Sequence, residues 1–183
     1  MFEPDKVWIY EVRHPKVSDR EDYSAYVKDF KFVSVAGDTI VNGRKAVRLQ
    51  VITKDRDADI TYTAAYEEDG RIYELDEKGR FVPTMDFGAY IGDRIEHYTD
   101  GKPDGTYMKV TGEEIVQING MARRMLTIDN SWYWIEGVGA YYEDGEISSI
   151  DRPGQKEPLY LIRCFKGDKC IYEDTAVFDV DCP

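Results

Sequence analysis

Apolar and polar residues alternate in short runs along most of the chain. Trp8, Tyr10 and Val12 alternate with Ile9, Glu11 and Arg13, and Val47, Leu49 and Val51 alternate with Arg48 and Gln50. Ile60, Tyr62, Ala64 and Tyr66 share one face of the next run. A period of two over many short segments predicts antiparallel strands. Turn chemistry agrees, because six of the 15 glycines directly follow Asn or Asp. Asn42-Gly43, Asp69-Gly70 and Asn119-Gly120 supply the positive φ angles of two-residue hairpin turns, and Asp100-Gly101, Asp104-Gly105 and Asp144-Gly145 have the same composition. The expected fold is mainly β, an antiparallel meander, sandwich or open barrel with at most one or two short helices. The one helix candidate starts at Ser18-Asp19-Arg20-Glu21, which has capping-box spacing, with Tyr23, Tyr26 and Val27 on one face.

A weak repeat runs through the pattern. Val35-Ala36-Gly37-Asp38-Thr39-Ile40-Val41, then Asn42-Gly43, then Arg48, resembles Val110-Thr111-Gly112-Glu113-Glu114-Ile115-Val116, then Asn119-Gly120, then Arg124. Each copy reads as strand, tight turn and strand, followed by an aromatic strand (Tyr62 to Tyr66, then Trp132 to Trp134). The expectation is one β-rich domain over residues 1–183, with similar units near 28–75 and 105–142. Gly101-Lys102-Pro103-Asp104-Gly105 is expected to be a polar loop, too short for a domain boundary.

Composition narrows the partners more than the fold. Against 24 Lys and Arg stand 36 Asp and Glu, a net charge of -12. Phosphate contacts need Lys and Arg, so nucleic acid and anionic lipid are poor partners for such a surface. No apolar run approaches the roughly 18 residues of a membrane-spanning helix. Fourteen tyrosines, seven phenylalanines and three tryptophans suit a pleated, half-buried surface.

Several motifs, in order, carry a family resemblance. They are Val7-Trp8-Ile9-Tyr10, Gly37-Asp38-Thr39-Ile40-Val41-Asn42-Gly43-Arg44, Tyr66-Glu67-Glu68-Asp69-Gly70-Arg71-Ile72-Tyr73, and Met85-Asp86-Phe87 with Ile91-Gly92-Asp93-Arg94-Ile95. Trp134-Ile135-Glu136-Gly137-Val138-Gly139, Leu161-Ile162-Arg163-Cys164-Phe165 with Ile171-Tyr172, and Cys182 complete the series. The chain resembles a group of uncharacterised secreted or lipid-anchored Bacteroidetes proteins with this motif order and a late Cys pair. The resemblance departs at Ala140-Tyr141-Tyr142. It implies an exported, mostly β protein of unknown function, usually met with a signal peptide that is absent here. It also implies a Cys164–Cys182 disulfide, whereas the Gly167-Asp168 turn leaves a Cys164–Cys170 bridge or a reduced, buried Cys164 open.

Chemical templates give little. There is no Cys-x-x-Cys for zinc, and His14 and His97 lie far from the cysteines. Asp55-x-Asp57-x-Asp59 begins like a calcium loop, but Ile60 and Tyr66 stand where Gly and Glu are needed, so no metal is expected. No nucleophile elbow, phosphate loop or dinucleotide fingerprint occurs, and no catalytic residue or cofactor is assigned. Glu136 ends a strand before two glycines, where it can accept backbone amides or meet a ligand. With Trp132, Trp134, Tyr141 and Tyr142 it makes the candidate ligand-binding set. That surface suits carbohydrate or protein, while alternate members of the Trp132 to Ile135 run serve equally as core. Gly37-Asp38 and Gly92-Asp93 are expected to turn the chain. The leading expectation is a non-enzymatic binding or structural module of the cell envelope. The alternatives are a carbohydrate-active hydrolase using two carboxylates, or a barrel-like carrier of an apolar ligand, which requires an empty apolar cavity.

Overall fold

The computed structural model describes residues 1–15, 26–54, 59–99, 102–142 and 159–173. Thirteen strands and no helix occur among them. In chain order they are β1 (Lys6–Pro15), β2 (Tyr26–Val41), β3 (Arg44–Lys54), β4 (Asp59–Glu68), β5 (Arg71–Leu75), β6 (Phe81–Asp86) and β7 (Arg94–Thr99). Then follow β8 (Lys102–Ile118), β9 (Met121–Ile128), β10 (Trp132–Ile135), β11 (Gly139–Tyr142), β12 (Leu159–Lys166) and β13 (Lys169–Glu173). The expected antiparallel, mainly β architecture is what forms: two antiparallel sheets, one of them curled as a half-barrel.

The larger sheet has eight strands in the order β13-β12-β1-β2-β3-β4-β5-β6, and the smaller has five in the order β11-β10-β9-β8-β7. Nearly all neighbours are hairpin partners. The exception is β1 beside β12, which brings the late hairpin back to the start of the chain. Asn42-Gly43, Asp69-Gly70 and Asn119-Gly120 make the predicted turns, each with positive φ at both residues. Both φ angles match the right-handed twist of the flanking strands, which explains why Asn or Asp precedes Gly there.

Some local expectations fail. Gly37-Asp38 does not turn the chain. It lies inside β2, where Gly37 (φ 114°) pairs with Arg48 just past a register shift that leaves Ala36 unopposed. Asp104-Gly105 is likewise inside β8, so most of the expected polar loop is strand. Tyr26 and Val27 begin β2 and are not helical, while the capping box at 18–21 lies outside the described residues. So do Asp100-Gly101, Asp144-Gly145 and residues 55–58 of the acidic run, of which Asp59 opens β4.

The core lies between the sheets. Trp8, Tyr10 and Val12 of β1 join Val33, Leu49 and Ala65 from the larger sheet, Met125 and Ile135 from the smaller sheet, and Val138 from the turn between β10 and β11. Beside them, Ile72, Met85 and Phe87 meet Val110, Leu126, Ile128 and Trp134. Ile9, Phe32 and Ile162 form a separate cluster on the opposite face of β1, β2 and β12. Strand β1 is therefore buried on both faces. The run of β4 behaves differently from its pattern: Ala64 is buried, but Ile60 (52% exposed) and Tyr62 (59% exposed) face solvent. A five-stranded sheet covers only one side of an eight-stranded one, and Ala65 is the residue β4 gives to the core. On the uncovered side Tyr66 stacks on Tyr73 at 4.6 Å, and the Arg44 guanidinium lies 4.6 Å from the Tyr66 ring centre. Arg48 sits similarly over Tyr62.

Candidate functional site

An apolar cavity of about 230 Å³ lies between the sheets. Trp8 and Tyr10 of β1, Val33 of β2, Leu49 of β3 and Met85 of β6 form its buried wall from the larger sheet. Trp134 of β10, with Gly139 and Ala140 of β11, closes it from the smaller one. Met1 and Phe2 line it as well, with Phe2 edge-on to Trp8 at 6.1 Å between ring centres. All three tryptophans of the protein, Trp8, Trp132 and Trp134, line this one space.

The walls nearest solvent carry the polar groups, and two bulges put them there. Between β7 and β8 the register slips where Glu96 faces Tyr107 and Tyr98 faces Pro103, so β8 carries the extra residues, 104–106, across from His97. In β6 the slip falls opposite Ile72 and Tyr73, so Thr84 is the extra residue between Pro83 and Met85. A regular strand shows alternate residues to one face, whereas a bulge re-aims a side chain. Thus Glu96-His97-Tyr98 and Pro83-Thr84-Met85 each give three consecutive residues to the cavity. Glu74 and Asp129 complete its acidic groups.

The polar contacts are defined. The Tyr98 hydroxyl donates to Glu96 at 3.1 Å. Burial first, then that bond and the Glu96 charge, raise the Tyr98 pKa, so the phenol keeps its proton. His97 Nδ1 lies 2.6 Å from an Asp104 oxygen, whose other oxygen accepts the Thr106 amide and hydroxyl. With its proton on Nδ1 the neutral imidazole leaves Nε2 as an acceptor. An Asp129 oxygen accepts the Lys109 amide at 2.9 Å.

The turn between β10 and β11 is clamped from β1. Trp8 Nε1 donates to the Val138 carbonyl at 2.6 Å, and buried Lys6 donates to the carbonyls of Met1 and Gly137. Burial lowers the Lys6 pKa, and Arg123 adds to this, while the nearby Glu67 opposes it. Gly137 (φ 72°) and Gly139 (φ 136°) hold backbone conformations that L side chains rarely adopt. The Trp-Ile-Glu-Gly-Val-Gly string is thus a structural clamp.

Of the candidate binding set, the fold brings Trp132 and Trp134 into the cavity. Glu136 stands apart and exposed; its amide donates to the Arg124 carbonyl and its carbonyl accepts from Arg123. Tyr141 and Tyr142 pair through their backbones with Tyr133 and Trp132, and their side chains lie outside the described residues. Cys164 and Cys170 are reduced, so neither expected bridge involving them is formed; Cys182 lies outside the described residues. Cys164 stands opposite Trp8 and Tyr172 with no exposure, and Cys170 stands opposite Phe165, one position out of step for a bridge across the hairpin. Burial pushes the Cys164 thiol up to about 12, with Lys6 and Arg123 drawing it only partly back.

Sequence reasoning passed over His97, Glu96, Tyr98 and Thr84. One signal was present: Pro83 inside a strand-like run marks an edge strand or bulge, and β6 is both. No group of three metal-ligating side chains occurs among the described residues. Comparison with protein-family models, with curated proteins and with solved structures finds no match.

Proposed function

We propose that the protein is a non-enzymatic binding module of the cell envelope that holds a small apolar molecule between its sheets. The observation that carries this is the cavity, about 230 Å³, walled by aromatic rings and Met85 and edged by polar groups beside two bulges, one in β6 and one in β8. Its volume exceeds the roughly 150 Å³ that binds benzene and falls short of the ~300 Å³ at which drug-sized sites begin. A single ring with a short arm is the matching size. The exported setting rests on the resemblance of the motifs.

The three tryptophans make the test direct, because all of them report on this space. Titration with propylbenzene, phenethylamine and 3-phenylpropionate is expected to change the tryptophan fluorescence with at least one compound. Ala140→Leu, which fills part of the cavity, is expected to weaken that binding about tenfold or more, from the volume it removes. No spectral change with any of the three overturns the proposal. The hydrolytic alternative is favoured by one feature, the imidazole of His97 oriented by Asp104 at the cavity wall. Ester or glycoside turnover that disappears in His97→Asn would support it over simple binding.

A further inference from the structure

We infer that the cavity selects an organic cation, an amine or quaternary ammonium carried on a small apolar body. This rests on the binding reading above and adds the charge of the ligand. Among the described lining residues the ionisable side chains, the tyrosines aside, are Glu74, Glu96, Asp129 and His97, none of them a lysine or arginine. The Met1 ammonium is ion-paired with Glu67 at 2.5 Å. The aromatic faces of Trp8, Tyr10, Tyr98, Trp132 and Trp134 share that lining. Aromatic faces attract a desolvated cation through the ring quadrupole, and a carboxylate among them gives it a counter-charge.

The hydrogen-bonding groups of the wall favour a cation as well. Three donors in the wall are committed to the protein: Trp8 Nε1 to the Val138 carbonyl, the Tyr98 hydroxyl to Glu96 and the Thr84 hydroxyl to the Ile72 carbonyl. Acceptor capacity remains, because a carboxylate has about four lone-pair sites. Glu96 takes the Tyr98 bond on one oxygen, and Asp129 takes the Lys109 amide on one oxygen. A protonated amine can donate to these carboxylates, and a quaternary ammonium still gains their charge, whereas a carboxylate ligand is repelled by them.

Two neighbouring cations do not alter this. Lys6 Nζ lies 5.1 Å from the Trp8 ring centre, held by two backbone carbonyls, and is not part of the lining. Arg71, whose charge reaches Tyr98, is paired with Asp86 at 2.7 Å. The net charge of -12 further disfavours an anionic ligand at a distance.

The experiment compares three ligands of one shape: phenethylamine, neutral propylbenzene and anionic 3-phenylpropionate, followed by tryptophan fluorescence and calorimetry. Phenethylamine is expected to bind about tenfold tighter than propylbenzene, and 3-phenylpropionate more weakly than either. That advantage is expected to shrink as salt rises and to fall severalfold in Glu96→Gln. Equal binding of amine and hydrocarbon, or tighter binding of the carboxylate, overturns the inference while leaving the cavity reading standing. No binding of any of the three overturns both. The salt series on the unaltered protein decides the matter even where Glu96→Gln folds poorly: an amine advantage indifferent to salt counts against the cation.

Discussion

Hairpin β2–β3 stands between β1 and β4 in the middle of the larger sheet, whereas β8–β9 stands between β7 and β10 in the smaller one. Both are antiparallel, both turn on Asn-Gly and both have a glycine just past a one-residue bulge. The glycines, Gly37 and Gly112, are 75 residues apart, and Ile40 and Ile115, three positions on, are both exposed. From glycine to turn the arm is two residues longer in β8, a difference that leaves every side chain on its original face. Each turn also ties down a distant segment: the Asn42 amide donates to the Gly79 carbonyl at 2.9 Å, and the Asn119 amide to that of Cys170 at 2.5 Å.

The shared letters nonetheless serve different ends. Arg48 rests on the outer face, where it donates to the Ala36 carbonyl at 3.3 Å and lies over Tyr62. Arg124 ion-pairs with Glu113 at 2.7 Å and reaches the carbonyls of Phe87 and Ala89, pinning the connection from β6 to β7 beside the cavity. Gly37 is needed for its backbone angle, since a Cβ there would meet nothing within 4 Å. Gly112 is needed for space, since a Cβ there would come within 3.0 Å of Thr127. A repeated string therefore repeats a local shape without repeating its tertiary use.

Exchanging residues between the hairpins should expose this. Arg124→Ala is expected to destabilise by about 2–4 kcal/mol, because two carbonyls and a carboxylate lose a charged donor. Arg48→Ala should stay within about 0.5 kcal/mol. Urea midpoints of the two variants check this, and equal losses would mean the two arginines serve the same end. Next in size, Gly37→Ala and Gly112→Ala should each cost about 1–3 kcal/mol. Thr127→Ala should restore part of the Gly112→Ala loss, and no neighbouring truncation should restore Gly37→Ala, as a double-mutant cycle would show.

Acid should then separate the two tethers. Asp76 holds the loop that receives Asn42, accepting the Lys78 and Arg80 amides and the Arg80 guanidinium. Burial alone would raise its pKa, but the Arg80 amide and guanidinium together with the Lys78 amide outweigh this and hold it below 3.8. Its contribution is thus complete above that ordinary value and lost as pH falls through the lower folded one. Amide signals of residues 76–80 should shift in that acid window before those of residues 167–170, and Asp76→Asn should remove the difference. Below the glycine substitutions in size, Asn42→Gly and Asn119→Gly keep the positive φ and delete only the tethers, for about 0.5–1 kcal/mol each by thermal melts.

Much of the fold was legible because it is local. Asn-Gly and Asp-Gly pairs at 42, 69 and 119 specify their own turns, and the alternation at Trp8, Tyr10 and Val12 specifies which face of β1 meets the core. The cavity was less legible because it depends on exceptions to alternation. Trp132 and Trp134 follow a period of two and could be found together. Thr84 reaches the same space as the extra residue of its strand, and His97 stands across from the extra residues of β8, where Asp104 meets it through a hairpin register that no local string encodes. Ile60 and Tyr62 look like core by composition, and only the unequal widths of the sheets leave them outside.

Cys164 carries a consequence for anyone handling the protein. A thiol with no exposure, held protonated up to about 12, has almost no thiolate at neutral pH and no route for a reagent. Alkylating agents and peroxides must wait for the surrounding strands to part, whereas Cys170, on the same hairpin and half-exposed, is available from the start. One hairpin thus contains a fast thiol and a slow one. Their ratio of labelling in a single sample serves as an internal clock for opening of the β1–β12 seam, read by mass spectrometry without any added probe.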